Sequence, residues 1–530
     1  MLHVISYDIG TTGLKSCLFR IDRKIELLGG EYATYDLYIL ENGGAEQDTE
    51  QWWEAMKIST HKLLEKTGIL PEQIDGIAFC AQMQGLVLVD KDGNALRRPM
   101  SYMDQRAGDV MNKTQNHGLA IEGVNVFKLI KSLIRTTAAS TSVKDPLWKY
   151  KWVQENEPEI FSKVYKWLDV KEYLICRMTG EFIMTPDSAY ATFLYDSRKG
   201  KEGFSKDLCD MYGVNIEHLP RIVECTDVAG TLTEKAANEL GLVKGIKVYG
   251  SGGDATLIGI GAGATELNDT HFYWGTSGWV GTVIDKQVVD INSMIAAIVG
   301  AQEGKYTYFA EMETAGKCFE WVKDHLAMDE IGMYLSKIDV ANSIETEYIS
   351  LYDYMSKVID EVEPGCGGLI FTPWLHGNRC PFEDANSAGM YFNIKLETGK
   401  SQMIRAVIEG ICYHLRWMIE CQELKINTSK VIRFVGGGAL SPVTCQILAD
   451  IIGREVATVE YTKDVGAVGA AMLVAVGSGE IEALGKTKEL IGVKQVYRPN
   501  ADNKEIYDKG FEVFKHLYKS NVRNFRMMNQ

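Results

Sequence analysis

No run of about 18 apolar residues, the length a bilayer-spanning helix needs, occurs in the 530-residue sequence. A surplus of basic residues is lacking too. The net charge of -15 argues against a nucleic-acid or anionic-membrane partner, since either would want a basic face. Eleven cysteines lie at 17, 80, 176, 209, 225, 318, 366, 380, 412, 421 and 445 without a CxxC pair. An odd number without zinc spacing reads as reduced, mostly buried thiols of a cytoplasmic protein. Met1 leads straight into a polar-flanked strand with no signal-peptide pattern, which carries the same expectation. HExxH and GxSxG are absent. Gly479 to Thr487 ends in GKT, but Gly479 and Gly485 enclose five residues where a Walker A loop has four, and no strand leads in. At this length one hydrophobic core is not enough, so at least two domains are expected.

What is present is organised around Ile246 to Gly263, IKVYGSGGDATLIGIGAG. The pattern predicts a strand, a tight loop and a helix, with Asp254 at the helix entrance. Three readings of Asp254 stand together. It caps the helix, or it belongs to a dinucleotide fingerprint, or it is a general base between two phosphate-binding loops. Gly250, Gly252 and Ala255 fit G-x-G-x-x-A, but Asp269 precedes the next apolar run, whereas a ribose-binding acid sits at the far end of a strand. The third reading needs the two loops. They are HVISYDIGTTG at 3 to 13 and HFYWGTSG at 271 to 278, apolar strands running into Gly-Thr-Thr/Ser-Gly. With one loop per half, the spacing suggests a duplicated two-domain clamp on a nucleotide.

DIGTTGLK at 8 to 15, SGGDAT at 251 to 256, WGTSG at 274 to 278, RAVIEG at 405 to 410 and FVGGGALSPVTCQILADIIG at 434 to 453 resemble the FGGY family of carbohydrate kinases. Within it they are most similar to xylulokinases, in order and over essentially the whole chain. The resemblance implies an α/β chain of two ribonuclease-H-like domains, the fold of actin, hexokinase and the heat-shock chaperone ATPases. The sugar and nucleotide would sit in the cleft between residues 1–250 on the sugar side and 251–530 on the nucleotide side.

Asp8 ends the first strand beside the loop amides, where phosphate would repel a carboxylate unless a cation lay between them. The family uses this Asp with Mg²⁺; an Asx turn capping the loop is the other reading. Asp48 to Lys66 is predicted as a helix, with Asp48 and Gln51 spaced as a capping box and Trp52 and Trp53 in the core. The loop Ala81 to Gly85, AQMQG, resembles the family's GQMHG, whose Met-His pair touches the sugar; Met83 and Gln84 occupy those places here. Asp104 and Arg106 read as a surface ion pair or, by resemblance, as the border of the sugar pocket. Lys149 and Lys171 are expected supports. Asp187 to Tyr195 reads as an irregular hairpin without chemical assignment.

In the second half, Gly316 and Glu320 lie where related kinases contact the nucleotide. Arg379, in TPWLHGNRCP, reads as a phosphate-side residue or a structural pair. Ser401 to Leu424 is predicted as a helix capped by Ser401. Val431 to Val435 runs into Gly436, Gly437 and Gly438, and Ser441 with Pro442 opens a helix ending at Gly453. The resemblance puts adenine and ribose at the glycines.

These readings converge on an ATP- and Mg²⁺-dependent kinase of a ketose or polyol. Asp254 is the base and Asp8 the metal residue. Thr11, Thr12, Gly13, Lys15, Gly275, Thr276, Ser277, Gly316, Glu320, Gly437 and Gly438 serve the nucleotide, and Met83, Gln84, Asp104, Arg106 and Asp254 the sugar. A nucleotide-binding sensor or scaffold of the actin and chaperone superfamily is the alternative, and a dehydrogenase the third reading. A homodimer is left open. Two departures bear on the sugar: xylulokinases have His at the place of Gln84 and Asn at that of Ala255.

Overall fold

The computed structural model describes residues 1–115, 120–121, 124–326 and 351–529. Among them, two large mixed sheets repeat one topology. In the first, Leu2–Ile9, Gly13–Ile21 and Ile25–Thr34 form an antiparallel meander, and Gly76–Ala81 joins Leu2–Ile9 in parallel. Lys247–Tyr249 and Gly252–Gly253 pair with Gly76–Ala81 in turn. In the second, Thr270–Trp274, Gly278–Ile284 and Tyr306–Met312 make the meander, and Val431–Gly436 then Glu455–Val459 extend it in parallel. Parallel neighbours need long crossovers, and the helices Thr49–Thr67, Lys400–Glu423 and Pro442–Ile452 lie in them.

The opening strand is buried on both faces because the chain covers both. Ile5, Tyr7 and Ile9 pack in one cluster with Trp52, Met56 and Leu63, while Val4 packs in another with Phe19 and Val468. That alternation follows from the two-residue period of a strand. The cover on the second face comes from the helix Val465–Gly477, far along the chain, every residue of which from Val465 to Ala475 is buried. A helix apolar on all sides has to lie inside, since each buried Val or Leu is worth about 1.5–3 kcal/mol. It crosses Asp254–Gly261 at backbone contact. A Cβ on Gly469 would stand 2.2 Å from the Leu257 carbonyl oxygen, and one on Gly261 1.8 Å from that of Val465.

Several local expectations hold. Trp52 and Trp53 are buried, and all eleven cysteines are buried and unpaired. Ser441 accepts the Thr444 N–H at the start of Pro442–Ile452, and Gly453 ends that helix at φ 67°. Three differ. Asp48 caps Thr49–Thr67 through the Glu50 N–H, but Gln51 closes no box, because its amide is drawn to Asp36 and Tyr38. The long helix begins at Lys400 with Gly399 at its cap, so Ser401 lies inside it; Gln402 Oε1 accepts the Gly399 N–H at 2.7 Å. Asp187 to Tyr195 is no hairpin: Pro186–Ala191 is a helix, opened by the fixed φ of Pro186. Among the described residues no helix is long and apolar enough to cross a membrane.

Candidate active site

The glycine-rich centre folds as its pattern predicts: strand Lys247–Tyr249, the two-residue strand Gly252–Gly253, then helix Asp254–Gly261. The N-cap is Gly253, so Asp254 is the first helical residue and not the cap. Its Oδ1 accepts the Ala255 N–H at 2.8 Å. Burial pushes its carboxyl up to about 7, with the negative charges of Asp8 and Glu311 adding to the effect. Such a carboxylate is poised to exchange a proton near neutrality, which suits a general base. The dinucleotide reading loses its acid. Asp269 accepts the Thr265 and Glu266 N–H groups and pairs with Lys488 at 3.3 Å.

Met83 brings the loop Ala81 to Gly85 against the start of the Asp254 helix. Its sulfur lies 2.1 Å from where a Cβ on Gly253 would be, so any side chain at that position would displace Met83. Gln84 takes a left-handed φ of 65° and is held there by its neighbours. The buried Lys149 ammonium donates to the Gln84 carbonyl at 2.7 Å, and Asp169 accepts the Gly85 N–H at 2.9 Å. Burial lowers the Lys149 ammonium to about 8, with Asp104 nearby opposing the fall. Asp104 and Arg106 are an ion pair, but a buried one. Arg106 pairs with Asp104 and with Glu46 at 2.7 Å, and Asp104 also accepts the Ala45 N–H at 2.8 Å. Their charges are used on each other and on Glu46, which ties the segment 101 to 106 to Ala45 and Glu46.

Both Gly-Thr loops sit at hairpin tips. Gly10 N–H donates to the Gly13 carbonyl at 2.9 Å and Gly275 N–H to that of Ser277 at 3.0 Å. Among the described residues the N–H groups of Thr11, Thr12 and Thr276 have no acceptor, so they are available to an anion. The second loop is fastened to the helix Gly316–His325. Gly316 N–H donates to the Gly275 carbonyl at 2.8 Å, and the Ala315 and Lys317 N–H groups to that of Thr276. Glu320 stands exposed on that helix. Gly437 and Gly438 follow Val431–Gly436 in a short 3-10 turn, with the Trp274 ring packed under Gly438. Lys15 does not point free into a phosphate site: its ammonium donates to Asp464 at 2.7 Å and to the Lys463 carbonyl at 3.0 Å. Arg379 is held by Glu311 at 2.7 Å and Glu313 at 2.5 Å, the structural pairing of its two readings.

A divalent cation fits beside Asp8. Burial raises the Asp8 carboxyl, and Lys15 only partly opposes this. The charge of Asp8 in turn helps raise the Asp254 carboxyl. Two carboxylates raised by burial beside a glycine-rich loop with free N–H groups suit Mg²⁺, which takes one or two carboxylates and completes its shell with other oxygens and water. A cage of three or more His, Cys, Asp or Glu side chains is absent among the described residues, as that mode of binding allows.

The sequence reading missed Asp187 and gave Asp169 no part. Both are buried and both grip the loops that carry the site. An Asp directly after the Thr185-Pro186 helix start was the only local trace in the sequence, and it does not disclose the distant partners.

The family model described as the N-terminal domain of the FGGY family of carbohydrate kinases matches residues 3–261, and that of the C-terminal domain matches residues 272–478. A xylulose kinase of Staphylococcus epidermidis is 28% identical over 524 residues, covering 97% of this chain and 96% of that protein. A gluconokinase of Bacillus subtilis is 25% identical over 520 residues, covering 97% and 95%. Among solved structures, ligand-bound xylulose kinase from Lactobacillus acidophilus superimposes with a TM-score of 0.85 at 23% identity over 100% of both chains. Plasmodium falciparum glycerol kinase with ADP does so at 0.80 and 18% identity, over 98% of each. These structures share the fold.

Proposed function

This chain belongs to the FGGY family of carbohydrate kinases, which use ATP with Mg²⁺, and from that premise we propose that it phosphorylates a ketose or polyol with Asp254 as general base. The sensor and dehydrogenase readings fall with the full-length match to carbohydrate kinases. The observation that carries the proposal is the Asp254 carboxyl, pushed up to about 7 at a helix start against which Met83 of the sugar loop is packed. The division into a sugar side and a nucleotide side falls beyond Gly253, because Gly252–Gly253 still pairs with Gly76–Ala81 of the first sheet.

The Asp254 oxygen not tied to Ala255 takes the proton of the attacking sugar hydroxyl. The hydroxyl oxygen bonds to the γ-phosphorus as the bond to the β-phosphate oxygen breaks, and ADP leaves. Free N–H groups of the loops at 10 to 13 and 275 to 278 receive phosphate oxygens, and Gly316, Gly437 and Gly438 line the nucleotide side. Mg²⁺, when bound, supplies the positive charge that offsets the β- and γ-phosphate oxygens, and Asp8 is the residue that would hold it. Met83 and Gln84 contact the sugar, and the Asp104–Arg106 pair backs them. Lys15 orders the first loop through Asp464.

A coupled assay of MgATP consumption over D-xylulose, L-xylulose, D-ribulose, pentitols, hexuloses and gluconate tests this with the unmodified protein and with Asp254→Asn. The variant is expected to lose about 10²- to 10⁴-fold in kcat. In the unmodified protein kcat should fall as pH drops through about 7, because the base is then protonated. Near-full turnover by Asp254→Asn would refute the assignment.

A further inference from the structure

Asp187 is a buried carboxylate that the chemistry above does not use. It is 1% exposed, and both oxygens are occupied. Oδ1 accepts the Thr185 hydroxyl at 2.5 Å and the Ser188 N–H at 2.9 Å. Oδ2 accepts the Gly253 N–H at 2.7 Å and the Thr256 hydroxyl at 2.9 Å. The Thr256 oxygen is also 2.9 Å from the Gly253 carbonyl, but its single proton goes to the charged acceptor. Behind stands the Lys171 ammonium, 3.9 Å away and itself bonded to Glu172, Thr185 and Ser188. Burial alone would raise the Asp187 carboxyl; Lys171 and the donors outweigh it and hold the group below the usual carboxylate range.

Two of those donors flank Asp254. The start of any helix leaves N–H groups without intrahelical partners, and the side chain of the N-cap residue ordinarily accepts one. Gly253 has no side chain, and Met83 fills the space one would need. What is capped here is the N–H of Gly253 itself, which a capping box would give to its N3 side chain, and its acceptor, Asp187, comes from a helix 66 residues earlier in the chain. A negative charge there also suits the positive end of the helix. We infer that Asp187 is a positioning residue for the reaction: it caps, from a separate helix, the helix that begins with Asp254, and so fixes that carboxylate relative to the sugar loop. The inference rests on Asp254 being the base.

The test uses the full chain, Asp187→Asn, Thr256→Val and Thr256→Ser, with kcat and both KM values measured well below each variant's thermal midpoint. A base displaced by about an ångström costs on the order of a hundredfold. Asp187→Asn should therefore lower kcat by about 10- to 100-fold, and Thr256→Val, which removes one hydrogen bond, by about 3- to 10-fold. KM for MgATP and for the sugar should stay within about twofold, and Thr256→Ser should restore kcat. A merely structural brace would lower the midpoint and leave kcat unchanged, and that result overturns the inference, as does a loss confined to KM. If Asp187→Asn does not fold, the Thr256 pair decides alone. Failure of the base itself reads differently: Asp254→Asn would then turn over normally, whereas loss at Asp254 with full kcat in Asp187→Asn and Thr256→Val removes only the positioning role.

Discussion

The two Gly-Thr loops are near copies in sequence and in hairpin setting, yet what lies beside them is opposite in character. Two residues before its first glycine, the first hairpin carries Asp8 and the second Tyr273. Asp8 lies across the strands from Lys15 and Cys80, where burial outweighs the Lys15 charge. Tyr273 stacks on Trp279 with ring centroids 4.0 Å apart, and Trp274 packs under Gly438. The anchoring differs as well. The first loop is tied to the first half of the chain, with Gln47 donating to the Thr11 carbonyl at 2.6 Å and the Thr11 and Tyr102 hydroxyls 3.2 Å apart. The second is tied to the start of Gly316–His325. One duplicated frame thus offers a charged setting suited to metal and phosphate, and an aromatic one suited to a flat ring.

The sharpest way to break this comparison is to remove the charge of the first loop's signature while keeping the ring of the second's. Asp8→Asn should lower kcat/KM for MgATP by about 10²- to 10³-fold, the scale of a lost transition-state stabiliser, while sugar affinity measured calorimetrically without nucleotide is kept. Tyr273→Phe keeps the ring and should change little. Equal losses in the two variants would mean that the loops are not specialised. The sugar side sharpens the contrast from the other end. Gln84→His with Ala255→Asn adds an imidazole and an amide beside the base and should raise the preference for D-xylulose over other ketoses by about 10- to 100-fold, with KM for ATP unmoved. A parent that already favours D-xylulose a hundredfold would contradict this. The smallest effect is expected at the second loop's fastening. The Cβ of Gly316→Ala would meet the Gly275 carbonyl at 2.4 Å. It should raise KM for ATP by about 3- to 10-fold without touching sugar binding, since a shifted amide weakens one contact among several. A rise in the sugar KM would count against separate anchoring.

The parts legible in the sequence were those whose signal is local. Strand-loop-helix at 246 to 263, both hairpin loops and the Ser441-Pro442 cap each announce themselves within a dozen residues. What escaped depends on residues far apart in the chain. Asp48 and Gln51 have box spacing, but spacing does not show that Asp36 and Tyr38 compete for the Gln51 amide. Asp187 bonds to residues 66 and 69 positions later, and no short motif encodes that. Asp104 and Arg106 could be read as neighbours, yet their burial follows from Glu46 and from Trp152, over which Arg106 lies 4.7 Å from the ring centroid.

The helix Val465–Gly477 has a consequence for how the protein is made. A ribosome has released the whole first sheet by residue 253, but the cover for one of its faces is still more than two hundred codons away. Until then Val4, Phe19 and Ala78 have no apolar partner from that helix. Contacts of such sequence separation close late and slow the search for the native state. The nascent first lobe therefore waits with one face open, a period in which chaperones or aggregation compete for it. A chain terminated before Val465 would lose the helix whose Gly466 packs against Asp8 and Cys80, and with it the cover for strands it had already completed.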